Sequence, residues 1–475
     1  MTNDLNLDKL KAKVVRGGIS LTVGKLAAVV LSLVSVLFIA RLLGPEQYGI
    51  VAITLGTFYF FIWISKFGLN VYLVRETSLE GDSVRQILAF FVTAGLVFCG
   101  LLYLSAPLFG WWTGRAEIAA TMRWIALPVW LEMLASVPIA MLEREVRFAE
   151  VGLIEIAAQI ANYLVAIPLV LVTQTYWGPV VGIGVQFAVL LGLAQWRHPV
   201  PWGWRWQPTV LTPALRYGLG YSGSDFILSL RSLTIPIVVS RLAGVEVAGL
   251  VSISVRFVEQ LAILRIVVRR MSISVMAKLL DAPEKVRQTI SRGMAYQMLL
   301  VGPACGLFAC AAMAVVPLMF GDRWIPSAQI FPLVAVAIIA ATLFDLHVAA
   351  LYAIGRNDKV AQFNAVYIGL FWLGCLLLIP AYGIWGYGLA EVLAIPAYGL
   401  MHRFLSQTFG APDYRQGAMF MLATLPPLFS SLWLPVGPSG LVFLLSYGGL
   451  LAVSREARQL VRELLLSWRS RRQPV

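Results

Sequence analysis

Apolar stretches of membrane length, parted by short polar breaks, run through the chain from near residue 17 to near residue 453. A helix needs roughly 20 mainly apolar residues to cross the hydrocarbon of a bilayer. By that measure there are about fourteen spans, near 17–41, 48–66, 86–109, 119–141, 150–173, 178–196, 215–240, 247–268, 290–319, 327–351, 360–380, 384–402, 416–434 and 439–453. Pro426 and Pro427 interrupt one of the last two, and the other is short. The pattern predicts an all-α polytopic membrane protein with short connections.

The pattern also repeats. Residues Ala40 to Ile53 (ARLLGPEQYGIVAI) return as Ser240 to Ile253 (SRLAGVEVAGLVSI), with half of the aligned positions identical. Both copies lie between two long apolar segments, so the repeated unit is a pair of spans and their turn. Arg85-Gln86 is echoed by Arg287-Gln288, Pro107 to Gly110 by Pro317 to Gly321, and Gly178, Gly182 and Gly184 by Gly383, Gly386 and Gly388. Each copy holds six spans, an even number, so the two face the same way about an axis along the membrane normal. We therefore divide the chain into an N-terminal six-helix lobe (1–196), an interfacial linker (197–215), a second six-helix lobe (216–403), two additional spans (404–453) and a basic tail (454–475). The linker carries Trp202, Trp204 and Trp206, suited to a membrane surface. In the tail, Leu460, Val461, Leu464, Leu465 and Trp468 share one helical face and Arg455, Arg458, Arg462 and Arg469 another, as in a helix lying on anionic lipid.

Composition agrees. Hydrophobic residues make up 59% of the chain and charged residues 13%, about half the charged share of a soluble domain. A net charge of +13 could indicate nucleic acid, but its placement argues otherwise. With the N-terminus inside, roughly 28 Lys and Arg fall on the inner face and about 5 outside, the asymmetry that orients membrane proteins. No soluble module remains to bind nucleic acid. Cys99, Cys305, Cys310 and Cys375 lie in apolar stretches without metal or disulfide spacing, and read as packing residues. The first apolar stretch is longer than a signal-peptide core and reads as a retained helix. No phosphate-binding loop is present, the histidines His198, His347 and His402 are scattered, and no outer loop is large enough for an enzyme site. No cofactor or metal is expected; a membrane-embedded glycan polymerase or glycosyltransferase is the competing class.

Ala40 to Gly49, followed by Phe67-Gly68-Leu69, Val74-Arg75-Glu76 and Leu351 to Arg356, resembles the polysaccharide transporters of the multidrug/oligosaccharidyl-lipid/polysaccharide (MOP) flippase superfamily, over nearly the whole chain. It is most similar to the Wzx-type exporters of lipid-linked O-antigen or exopolysaccharide units. The resemblance implies a two-lobed, V-shaped bundle whose first and seventh helices line a cavity, working by alternating access in the bacterial inner membrane. It also implies a polyprenyl-diphosphate-linked oligosaccharide (undecaprenyl as the carrier), anionic lipids, and polymerase and export machinery as partners. A multidrug antiporter of the same superfamily is the other transport reading.

Ionisable groups inside spans cost about 2.5 to 3.5 kcal/mol on insertion scales and so need an account. Gly18, Thr22, Lys25 and Ser32 share one face of the first span, and Gly218, Ser222, Asp225 and Ser232 occupy the matching places on the seventh. These stripes can face each other across a cavity, Lys25 serving a phosphate and Asp225 a proton, or Lys25 and Asp225 can form a plain ion pair. Arg231 and Arg256 lie near mid-span, where a guanidinium fork can grip diphosphate oxygens; Arg256 can equally pair with Glu259. Arg265, near an inner end, reads as an anchor. Glu132, Glu155, Glu259, Asp345 and Glu391, with Asp225, are the candidates for ion coupling. Arg41 with Glu46 and Arg241 with Glu246 can close an outer gate or fix their own turns. If both termini are cytoplasmic, reporters fused after Val475 and within Trp111 to Glu117 report opposite compartments; equal signals would overturn this topology.

Overall fold

In a computed structural model of the protein, the described residues are 2–76, 81–203, 207–263, 281–470 and the single positions 265, 268, 272, 276 and 279. The side chains of 2–30, 210, 220–225, 464, 465 and 467–470 fall outside that description. Among the described residues the chain is helical throughout and has no strand. Ten helical stretches are long and apolar enough to cross a membrane, from Leu31–Ser65 to Val436–Val453. The predicted spans fall largely on helix among the described residues, and the span near 247–268 runs partly outside them.

The chain forms two compact units, 1–249 and 250–475. The first begins with α1 (Thr2–Ser65), which holds the first two predicted spans and is kinked at Gly44, where φ is 71°. The repeat has the same requirement: Gly244 sits at φ 90°, a left-handed conformation that only glycine adopts without strain. After α1 come the short α2 (Leu69–Arg75) and the long helices α3 (Gly81–Thr113), α4 (Ala116–Arg144), α5 (Phe148–Thr173) and α6 (Trp177–Arg197). α5 and α6 make a tight hairpin because Gly178 and Gly182 leave no room for a side chain against Ala166 and Asn162.

The seventh predicted span is not a regular helix. α7 (Pro208–Ser229) passes into a 3-10 turn at Leu230–Leu233, then a π-helical stretch at Thr234–Val239, then the single turn α8 (Ser240–Leu242) before α9 (Gly244–Leu261). Pro236 explains the break, since it lacks an N–H and its ring crowds the carbonyl four residues back. Irregular backbone at membrane depth must find partners elsewhere in the protein. The indole Nε1 of Trp112, at the end of α3, donates to the Ile237 carbonyl at 2.8 Å, and the Ser240 hydroxyl donates to the Pro236 carbonyl.

This broken span packs against the second half of α1 at glycines. A Cβ on Gly56 would stand 2.8 Å from both Ser232 O and Pro236 Cγ. The repeat-related Gly49 and Gly249 make reciprocal approaches: a Cβ on Gly49 would stand 1.9 Å from Val245 O, and one on Gly249 2.2 Å from Pro45 O. A third crossing joins Gly68 and Gly218, each of whose Cβ positions is filled by the other segment's backbone.

The second unit holds α10 (Pro283–Phe320), α11 (Ile325–Ala353), α12 (Asn357–Tyr382), α13 (Ile384–Leu393), α14 (Tyr398–Phe409), α15 (Arg415–Ser430), α16 (Val436–Val453) and α17 (Arg455–Ser470). α13 and α14 are one predicted span, parted by a 3-10 turn at Ile395–Ala397 that contains Pro396. α11 is buried on nearly all sides, as a central helix should be. α17, the predicted amphipathic tail, docks Ala457 and Leu460 into the unit, while Arg458 caps the end of α16 by donating to the Leu451 and Ala452 carbonyls at 3.0 and 2.7 Å. Of its predicted apolar face, Leu464, Leu465 and Trp468 have side chains outside the description, as does Arg469. Cys305, Cys310 and Cys375 are buried and all four cysteines are unbridged.

Gly49→Val or Gly249→Val should destabilise the protein by about 1 to 3 kcal/mol through overpacking against backbone. Gly100→Ala, at a site with open space, should be neutral or stabilising by up to about 1 kcal/mol from helix propensity. Thermal unfolding of the purified variants checks both, and equal effects at the three positions would refute the crossing.

Candidate functional site

The polar machinery of the first unit gathers where α1 ends. The chain turns through Phe67 and Gly68, both at positive φ, which brings Lys66 back toward α4. Lys66 Nζ meets Glu132 Oε1 at 2.6 Å, the lysine side chain about one third exposed and the glutamate 9% exposed. Glu143 and Glu155 lie near enough to act on the same ammonium. Lys66 thus compensates the carboxylate charge from one side, while the second oxygen, Glu132 Oε2, is buried with no hydrogen-bond partner among the described residues. Lys66, not singled out in the sequence, is the missed member; its place just after an apolar span made it look like a boundary residue.

Around this pair, arginines hold chain ends. Arg144 Nη1 donates to the Leu73 carbonyl at 3.0 Å and to that of Glu76, covering the end of α2. Arg75 donates to the Tyr217 hydroxyl at 2.8 Å and lies over its ring, tying α2 to α7 beside the Gly68 and Gly218 crossing.

The residues expected to meet cargo are placed unevenly. Thr22 and Lys25 lie on α1, and Ser222 and Asp225 on α7, but their side chains are outside the described set. Arg231, half-buried, sits in the 3-10 turn that precedes the π-helical stretch; such a change of helix type is a natural hinge. Arg256 is half-buried on α9 and Glu259 is exposed. Glu155 is exposed on α5.

The two repeated turns also bring partners from other helices. Glu46 pairs with Arg115 at the start of α4. Arg241 donates to the Trp112 carbonyl at 3.2 Å and lies over that indole, so it braces the same tryptophan that serves Ile237. Arg41 and Glu246 are exposed.

In the second unit, two acids have built surroundings. Arg265 Nε meets Asp345 Oδ2 at 3.2 Å, the aspartate nearly buried, so Arg265 is an ion-pair partner and more than the anchor its sequence position suggests. Glu391 is fully buried, accepting hydrogen bonds from the Tyr367 and Tyr387 hydroxyls at 3.1 and 3.2 Å. The histidines are not all scattered either. His347 and His402 converge on the hydroxyl of Tyr414, which lies 67 residues from one and 12 from the other. Helix packing brings together what the sequence keeps apart.

An all-helical fold with an internal repeat, embedded ion pairs and glycine crossings is that of a polytopic membrane protein. A family profile described as polysaccharide biosynthesis protein matches residues 38–329, and the chain belongs to that family. It is 22% identical over 386 residues to the lipopolysaccharide biosynthesis protein WzxC of Escherichia coli (strain K12), covering 79% of this chain and 76% of that one. It is 24% identical over 366 residues to the succinoglycan biosynthesis transport protein ExoT of Rhizobium meliloti (strain 1021), covering 76% and 71%. Among solved structures it shares the fold of the lipid II flippase MurJ in an inward closed conformation, with a TM-score of 0.70 and 12% identity over 93% of this chain and 100% of that one. It also shares the fold of an inward-facing multidrug resistance MATE family transporter of the MOP superfamily, with a TM-score of 0.61 and 14% identity over 79% and 94%.

Lys66→Met or Glu132→Gln alone should cut protein abundance or stability, since breaking a buried pair from one side costs about 3 to 5 kcal/mol at full burial, and less here because Lys66 is partly exposed. The double variant should recover most of that loss. A double variant no better than the singles would show that the two side chains do not act as a pair.

Proposed function

We propose that the protein is a flippase that moves polyprenyl-diphosphate-linked oligosaccharide units from the inner to the outer leaflet of the bacterial inner membrane, for O-antigen or exopolysaccharide assembly, by alternating access. The family match across 38–329 carries this reading, and the transport and lipopolysaccharide functions named for its relatives agree with it. Undecaprenyl is the carrier lipid we propose, with the polymerase and export machinery as downstream partners and anionic lipid under the tail. Both termini face the cytoplasm. The working lobes are 1–196 and 216–403, joined by the 197–215 linker and followed by two accessory spans.

Arg231 and Arg256, with Lys25, supply the positive charge for the diphosphate. Arg231 has the stronger case, since its 3-10 turn can change with the state of the helix and so vary its grip on phosphate. The cationic side chains also disfavour an organic-cation cargo. For ion coupling, we put Glu132 ahead of Glu155, Asp225, Glu259, Asp345 and Glu391 because it combines burial, a cation on one oxygen and a buried second oxygen without a partner among the described residues.

Loss of the protein should leave the lipid-linked unit on the inner leaflet. A charge-assisted hydrogen bond is worth about 1.5 to 3 kcal/mol, so Arg231→Gln should lower apparent affinity by roughly 10- to 100-fold, and Arg231→Lys, which keeps charge but loses the fork, by less. For Arg256, rescue by Arg256→Gln with Glu259→Gln would reassign it to structure. Normal glycan export with heightened sensitivity to cationic drugs in the deletion strain would favour the multidrug reading.

A further inference from the structure

Two histidines and a tyrosine of the second unit form a continuous hydrogen-bonded array outside every role given above. Tyr414 follows the loop that leaves α14 at Gly410. Its position is fixed by its neighbours: the Asp413 N–H donates to Ser291 Oγ on α10 at 2.8 Å, and the Arg415 N–H donates to Asp413 Oδ1 at 2.8 Å. The Tyr414 hydroxyl then lies 2.6 Å from His347 Nε2 on α11 and 2.9 Å from His402 Nδ1 on α14. Ring packing holds the geometry, with His347 stacked on Tyr414 and Phe344 stacked on Tyr398.

The array is graded in depth. His402 and Tyr414 are half-buried, whereas His347 is fully buried, and His347 Nδ1 has no hydrogen-bond partner among the described residues. Beside Tyr414, an open groove of about 440 Å³ is lined by Arg287, Gln288, Ser291, Arg292, Asp413 and Gln416. Burial pushes the Tyr414 phenol up, so it remains a hydroxyl that can both donate and accept.

A hydroxyl has one proton, so one imidazole must accept from Tyr414 and the other donate to it. We propose that His402, Tyr414 and His347 constitute a proton-binding site in which the tyrosine hydroxyl passes a proton between the half-buried imidazole of His402 and the fully buried one of His347. In one transfer, a proton from water binds His402 Nε2 and the Nδ1 proton moves to Tyr414 Oη. The tyrosine's own proton moves to His347 Nε2. His402 and Tyr414 end neutral, and His347 carries the charge with both nitrogens protonated.

The charge cannot be shared widely. Of the neighbouring elements, α10 brings Glu284, Arg287 and Arg292 to the groove. α12 has Asp358 and Lys359 at its start, paired with each other. α13 has Glu391 held by two tyrosines, and α14 has Arg403 exposed. Arg415 on α15 pairs with Glu456 of α17, and on α11 itself Asp345 is paired with Arg265. An imidazolium at His347 is thus kept from water in this packing, and proton uptake favours an arrangement in which the ends of α11, α14 and α15 part. On the transport reading these ends lie on the face where cargo loads, so proton concentration there acts on loading; the site's chemistry does not depend on that reading.

The test is hydrogen exchange of residues 408–418 in the purified full-length protein in lipid nanodiscs without cargo, from pH 8 to 5.5, corrected for intrinsic exchange. Protection should fall about tenfold toward low pH, the change expected for one proton with a one-unit pKa difference between arrangements. Tyr414→Phe, which keeps the ring, and His347→Gln should each flatten that profile, with His402→Gln as a third variant should either misfold. A wild-type profile flat across the range, or profiles in the folded variants that match wild type, would overturn the proposal. Glycan transport assayed in the same variants separates the two readings: an altered exchange profile with no glycan transport even in wild type would retire the flippase and keep the proton site.

Discussion

A backbone carbonyl in hydrocarbon has no water to turn to, and that requirement shapes the first unit more than any side-chain charge. Pro236 disrupts the ladder of the seventh span and leaves its carbonyls in need of partners. Trp112 reaches from α3 to Ile237, Ser240 bonds Pro236, and Arg241 in turn braces Trp112. The second half of α1 comes close beside the break because Gly56 has no side chain to hold it off. A π-helical stretch can be accommodated there, and can rearrange, because its polar atoms are satisfied by neighbours that are themselves anchored.

The repeat gains its physical meaning at the same place. Gly44 and Gly244 both adopt left-handed conformations, and Gly49 and Gly249 both lie against the backbone of the opposite turn. Two of the identities that mark the duplication are therefore glycines that this reciprocal crossing needs, one where φ is positive and one where backbones touch. Small residues at helix crossings are the usual means of close packing in a membrane, where no hydrophobic effect drives helices together.

Buried charge is handled locally in both units. Lys66 with Glu132, Arg265 with Asp345, and Glu391 with its two tyrosines each keep their compensation within a few ångströms. Pairs of this kind add little net stability, because desolvation offsets attraction, but removing one member is expensive. They therefore act as fixed points in the packing of each unit.

The hydrophobic pattern was enough to determine the helical, many-span class and the existence of the duplication, since the bilayer imposes length and apolarity on every crossing segment. The residue string around Ala40 to Gly49 was enough to reveal the family. Partners across helices were not legible. Glu46 reaches Arg115 on another helix, Arg265 meets Asp345, Lys66 folds back on Glu132, and histidines 55 residues apart meet at Tyr414. Periodicity tells which face of a helix a side chain occupies but not which helix lies opposite. That is decided by crossing geometry, and here the glycines and Pro236 decide it through backbone contacts that a one-dimensional pattern does not carry.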